Sequence, residues 1–190
     1  MRRRYNRARL VLAALPLMFL LACQSAPTRT YTLYAAPVSA SKDYGGPSLR
    51  VDSVHMPVAI DRTEIMLDVA PGEIKISDFD HWSAPLGEMA RQTLSQDLIL
   101  RLPAGKVIFP HLFKPSGALG ISVDILSFRT DRGNAQLTAS WAILPQAPGA
   151  APRGGSATLS TPNSNGGALG TVQALSTLLG QLADRIAADL

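Results

Sequence analysis

The chain has 190 residues, 46% of them apolar, which suffices for one domain with its own core and excludes a disordered chain. Its formal net charge of +4 belongs to its first segment: five of the 18 basic residues (Arg2, Arg3, Arg4, Arg7, Arg9) precede Cys23 and none of the 14 acidic ones does. The remaining 13 basic and 14 acidic residues exert no general pull on phosphate backbones, and with no aromatic run for base stacking the composition excludes nucleic acid as a partner.

The arginines lead into an apolar run over residues 10–20, the two parts of an export signal. The run closes on Leu20-Leu21-Ala22-Cys23. A small residue before a cysteine, with leucine three positions back, resembles the bacterial lipobox. That motif implies cleavage between Ala22 and Cys23, a diacylglyceryl group on the thiol and an N-acyl group (palmitate, for example) on the new amino terminus. Eleven apolar residues are too few to span a bilayer, which takes about 20. An ordinary cleaved signal would leave one unpaired thiol in an oxidising compartment, and a buried helix would not carry five arginines ahead of it. As a thioether, Cys23 has no disulfide or thiolate chemistry left, and acyl chains worth about 0.8 kcal/mol per buried methylene give a stable anchor. By resemblance to enterobacterial sorting, where Asp after the cysteine favours the inner membrane, Gln24 points to the outer membrane.

The organisation expected is therefore a signal peptide over 1–22, a lipidated tether over 23–30 and a single domain over 31–190. The polar, Pro-containing residues 24–30 reach about 24 Å when extended, so the domain stays close to its membrane. Residues 29–34 alternate Thr with apolar or aromatic residues and predict a strand. Strands are also predicted over 49–54 and 64–69, the latter joined by Pro71-Gly72 to a hairpin partner over 73–77. Asp78, Asp80 and Ser83 ahead of Pro85 match the start of a helix, with capping oxygens first and proline in the first turn. Leu86, Met89, Ala90, Leu94 and Leu98 recur at helical spacing, and Pro103-Ala-Gly105 ends that helix.

A short strand is predicted over 106–109. Residues 119–128 and 135–144 alternate strongly, with the hairpin turn over 131–134 between them. A further short strand is expected over 156–160, after a Pro/Ala/Gly loop over 146–155. Leu169, Val172, Leu175, Leu179, Leu182, Ile186 and Leu190 predict an amphipathic helix to the end of the chain, packed on its own sheet. The order strands, helix, strands, helix gives an α+β (mixed α/β) fold: a single, mainly antiparallel sheet packed against two amphipathic helices.

The search for chemistry returns little. His55, His81 and His111 are far apart and none has a ligand partner at i+2 or i+4, so no metal site is expected. Asp78, Asp80 and His81 form the one polar cluster; a carboxylate–imidazole pair is conceivable, but capping of the following helix is the expected role. Ser156 follows two glycines without a nucleophile elbow, and Gly166-Gly167 ahead of the last helix is a weak anion motif. Trp82 is expected to staple the helix start to the sheet, the alternative being an exposed partner contact. Trp141 lies on the apolar face of its strand.

Taken in order, Tyr31-Thr-Leu-Tyr34 after the cysteine, Leu49 to Pro57, Ile60 to Ile65, Phe79-Asp-His-Trp-Ser-Ala-Pro-Leu86 and a helix ending in Leu100-Arg-Leu-Pro103 resemble the PqiC/YmbA family, the auxiliary lipoproteins of ABC-type transport systems. The resemblance covers most of the chain after Cys23, apart from residues 146–167. It implies no enzymatic activity and no catalytic residue, with Cys23 as the one position carried over, and no cofactor beyond its acyl groups. It also implies an MCE-domain protein and ABC or Pqi-type inner-membrane transporter subunits as partners in moving lipids between membranes, self-association into a homo-oligomer, and an outer-membrane anchor facing the periplasm. The rival readings are a structural envelope lipoprotein that binds peptidoglycan or an assembly machine, and a hydrolase.

Overall fold

The computed structural model describes residues 26–38, 41–70, 72–130, 133–145, 149 and 151–190. Cys23, Ala22 and Gln24, with the whole leader, lie outside the described residues, as do Asp131 and Arg132 of the predicted hairpin turn. Ten elements follow in order: β1 (Arg29–Tyr31), β2 (Leu49–His55), β3 (Glu64–Ala70), β4 (Glu73–Trp82), α1 (Leu86–Arg101), β5 (Val107–Ile108), β6 (Leu119–Thr130), β7 (Gly133–Leu144), β8 (Arg153–Asn163) and α2 (Gly167–Ala188).

The α+β class and the two helices stand, but the single antiparallel sheet does not. The strands form two mixed sheets: a three-stranded one in the order β1-β4-β3 and a five-stranded one in the order β5-β2-β6-β7-β8. β1 is parallel to β4, and β5, β2 and β6 are mutually parallel, whereas β3–β4, β6–β7 and β7–β8 are antiparallel. Alternation within a strand reports which face is buried and is silent on the direction of a partner far along the chain.

The predicted hairpin of residues 119–128 and 135–144 pairs as β6 and β7, with Ile121 opposite Ile143 and Val123 opposite Trp141. Leu119, Ile121, Val123 and Ile125 share a buried face with Leu137, Ala139 and Ile143, and both helices cover it. Past Ile125 the register shifts, so that Leu126 is the extra residue of a bulge. The shift returns Phe128 and Thr130 to the side of Leu137 and Ala135 and leaves Leu126 exposed. β8 is twice the predicted length and absorbs the end of the expected loop. Gly154 and Gly155 are needed there: a Cβ on Gly155 would lie 2.7 Å from the Trp141 ring, whose Nε1 donates to Asp189 Oδ2 at 2.9 Å.

α2 buries Val172, Leu175, Leu179, Leu182 and Ile186 as predicted, while Leu169 is exposed. Its neighbour α1 buries Leu86, Met89, Ala90, Leu94 and Leu98. Between the helices runs residues 32–38, extended but unpaired, where a longer first strand was predicted. Tyr34 N–H donates to Ser176 Oγ at 3.3 Å and Ala36 N–H to Asp97 Oδ1 at 2.9 Å. Asp97 is fully buried; Arg101 Nη1 also reaches its Oδ1 at 3.1 Å, and its Oδ2 has no partner. Arg101 Nε in turn holds Asp184 of α2 at 2.6 Å.

Burial pushes the Asp97 carboxyl up to about 6, the Ala36 amide and Arg101 offsetting only part of that. A carboxyl that binds its proton more tightly folded than unfolded stabilises the fold fully below its unfolded value, and this contribution is lost as pH rises through the folded one. Urea unfolding should therefore show higher stability at pH 5 than at pH 7, and Asp97→Asn should flatten that slope. Below about pH 4 the trend should reverse, as carboxylates such as Glu88, which Arg91 holds below its ordinary range, become protonated.

Candidate functional site

The two sheets meet where β3 passes β6. Asp68 bridges them: its Oδ2 accepts the Thr130 N–H at 2.9 Å and its Oδ1 accepts Arg129 Nη2 at 3.3 Å. Beside this bridge lies a groove of about 200 Å³, its apolar walls formed by Ile60, Met66, Ile74, Trp82, Leu126 and Phe128. Each wall has a local origin. Pro57 opens a turn in which the Ile60 and Asp61 N–H groups donate to Pro57 O at 2.9 and 3.0 Å, placing Ile60 at one rim. The β6 bulge turns Leu126 outward to the other rim, 59% exposed, with Phe128 deeper. Trp82, 6% exposed, forms part of the floor.

The groove lies below the roughly 300 Å³ of a typical small-molecule pocket. Its size and lining suit a few apolar side chains or one stretch of an acyl chain. Both oxygens of its carboxylate, Asp68, are occupied by the bridge. Among the described residues no group of three or more His, Cys, Asp or Glu is placed to hold a metal ion, and no helix is long and apolar enough to cross a membrane.

The Asp78–Asp80–His81 cluster is neither a helix cap nor an acid–base pair. Residues 77–80 bulge out of β4, since Glu64 pairs with His81 and Met66 already with Ile76. Within the bulge Asp80 accepts Ser77 Oγ at 2.7 Å, Tyr31 Oη at 3.0 Å and Arg29 Nε at 2.8 Å. Burial alone would raise its pKa, but these donors outweigh it and hold the carboxyl below its ordinary value. The helix that Asp78 and Asp80 were expected to cap has Pro85 at its N-cap with no side-chain cap, and Gly87 N–H donates instead to Asp61 Oδ1 at 3.3 Å.

The histidines are dispersed: His55 ends β2, His81 lies in β4 and His111 sits 3.3 Å from Glu88 on the surface. Ser156 is an exposed residue of β8 opposite Ser140. Gly166 and Gly167 start α2 with φ of +58° and share a hollow with Asp68, a carboxylate that would oppose an anion. Trp82 packs in the core at the junction of β4 and α1, its N–H donating to Thr63 O at 2.7 Å through the backbone. Sequence reasoning passed over Met66 and Leu126, because the groove arises only when two sheets distant in sequence are apposed. The one signal was Leu126 itself, an apolar residue out of phase with Leu119, Ile121, Val123 and Ile125.

A family model described as the ABC-type transport auxiliary lipoprotein component matches residues 31–187. No curated protein matches the chain. Among solved structures, a crystal structure of an uncharacterized protein is similar at TM-score 0.68 and 17% identity, covering 86% of this chain and 98% of its own. A crystal structure of a Xanthomonas campestris protein of the DUF330 family model is similar at TM-score 0.57 and 16% identity, covering 83% and 92%. At these identities the likeness speaks for the fold.

The groove's floor and rim should separate in denaturant unfolding. Trp82→Ala should lower stability by about 3–5 kcal/mol, as expected for a buried aromatic, and Leu126→Ser by no more than about 0.5 kcal/mol.

Proposed function

The chain belongs to the ABC-type transport auxiliary lipoprotein component family, the PqiC/YmbA type, and on that premise we propose that it is a non-enzymatic part of an MCE/ABC-type intermembrane lipid transport system. The observation that carries the reading is the extent of the family match, residues 31–187, on a chain whose residues 1–23 read as an export leader ending in a lipobox cysteine. Membership in a family of lipoprotein components supports a location in the cell envelope. In the proposed arrangement acyl groups on Cys23 hold it to the outer membrane, Gln24 directs it there, and the domain faces the periplasm.

The mechanism is positional. An acylated Cys23 confines the domain to a shell one tether length from the bilayer, which raises its effective concentration for anything else at that surface. The Asp68-bridged groove then offers apolar contact to an MCE-domain or permease subunit, or to the hydrophobic cargo itself. Its walls are mostly apolar, which suits a binding role.

Two measurements test this. Cys23→Ser should move the protein from the membrane to the soluble fraction and remove the acyl mass from its N-terminus. In-cell crosslinking of the wild type should recover MCE-domain and permease subunits; recovery of peptidoglycan or assembly factors alone would refute the transport assignment.

A further inference from the structure

The described chain enters the domain through β1, at a defined place. β1 runs parallel to β4, with Arg29 opposite Asp80 and Tyr31 opposite Trp82. In a parallel pair, going backward from Arg29 leads toward the start of β4, and so toward the β3–β4 turn. Six residues separate Arg29 from Cys23, a reach of about 20 Å when extended. Six residues also separate Asp80 from Ile74 along β4, so a bilayer holding the Cys23 acyl groups lies within reach of the whole hairpin end.

That end is apolar where it need not be. Val69, Ile74 and Ile76, with Phe79 in the bulge beside Asp80, are all at least 36% exposed, and the segment 69–79 carries Glu73, Asp78 and Lys75, a net charge of −1. Exposed apolar side chains gathered within tether reach of a bilayer have an occupant already at hand. Phe113, 86% exposed, belongs instead to the loop after β5, an edge strand of the other sheet.

We infer that the β3–β4 hairpin end is a second membrane contact, in which Val69, Ile74, Ile76 and Phe79 enter the bilayer interface beside the acyl anchor and fix the domain's orientation. The inference rests on acylation of Cys23, as proposed above. It gives the groove a direction: Ile74 is also a groove residue, so the groove opens beside the bilayer, where a hydrophobic chain would enter it. The near-neutral charge makes the contact apolar, and it should persist at high salt.

Because Cys23 is the one native cysteine, the variants Ile74→Cys, Phe79→Cys and, as reference, Phe113→Cys each offer a single thiol for an environment-sensitive fluorophore in the acylated protein. The full lipoprotein is purified from membranes and its Cys23 acylation read by mass spectrometry. It is then reconstituted in phosphatidylethanolamine/phosphatidylglycerol vesicles carrying a nitroxide on the upper acyl chain. Probes at 74 and 79 should be blue-shifted and quenched at least twofold more than the probe at 113, at 50 mM and at about 500 mM salt alike. Quenching at 74 and 79 no greater than at 113, on protein with acylated Cys23, overturns the inference and leaves the anchor standing. An unmodified Cys23 overturns the anchor, and this inference with it. Two independent hairpin positions guard against a single substitution that disturbs the fold.

Discussion

Three donors converge on the Asp80 carboxylate: Ser77 from its own bulge, and Tyr31 and Arg29 from the strand beside it. β1 has only three residues, and three parallel pairs are a weak hold. The Asp80 contacts join the start of the domain to β4 and thereby decide where the chain from Cys23 emerges. Asp80 is itself buried, where an unpaired carboxylate would be costly. The bulge and the strand are thus mutually dependent: without β1 the carboxylate loses two of its donors, and without the bulge it does not face them.

This dependence explains what the sequence disclosed and what it withheld. The alternation of Leu119 to Ile125 and of Leu137 to Ile143 announced a hairpin because the two partners are adjacent in the chain and each buries one face. The helical spacing of Leu86 to Leu98 and of Val172 to Ile186 was equally legible, since each helix buries one stripe. Asp78 and Asp80 misled. Carboxylates shortly before a proline-led helix look like caps, and nothing local says that Asp80 is engaged by Arg29 and Tyr31, about fifty residues upstream. The same blindness to distant partners turned two mixed sheets into one expected sheet. The groove was hidden for a related reason, since its rims belong to a turn after β2 and a bulge in β6.

The functional picture shares this geometry. Family membership supplies the class, a lipoprotein component of an ABC-type transport system, and the fold supplies the positions. The Asp97–Arg101–Asp184 chain ties the two helices to residues 32–38, so the segment that follows β1 is as firmly seated as β1 itself. The domain is held at its first strand by polar contacts and at its centre by helix and sheet packing.

The parallel pairing of β1 also has a mechanical side. A pull on the chain ahead of β1 would enter at Arg29 along the strand axis, while β4 is retained by α1 at its opposite end. The load therefore shears the β1–β4 junction, and its hydrogen bonds and the Asp80 contacts share the force together. An antiparallel β1 would have been peeled away one bond at a time. A domain loaded through its first strand is thus held in shear and not by peeling.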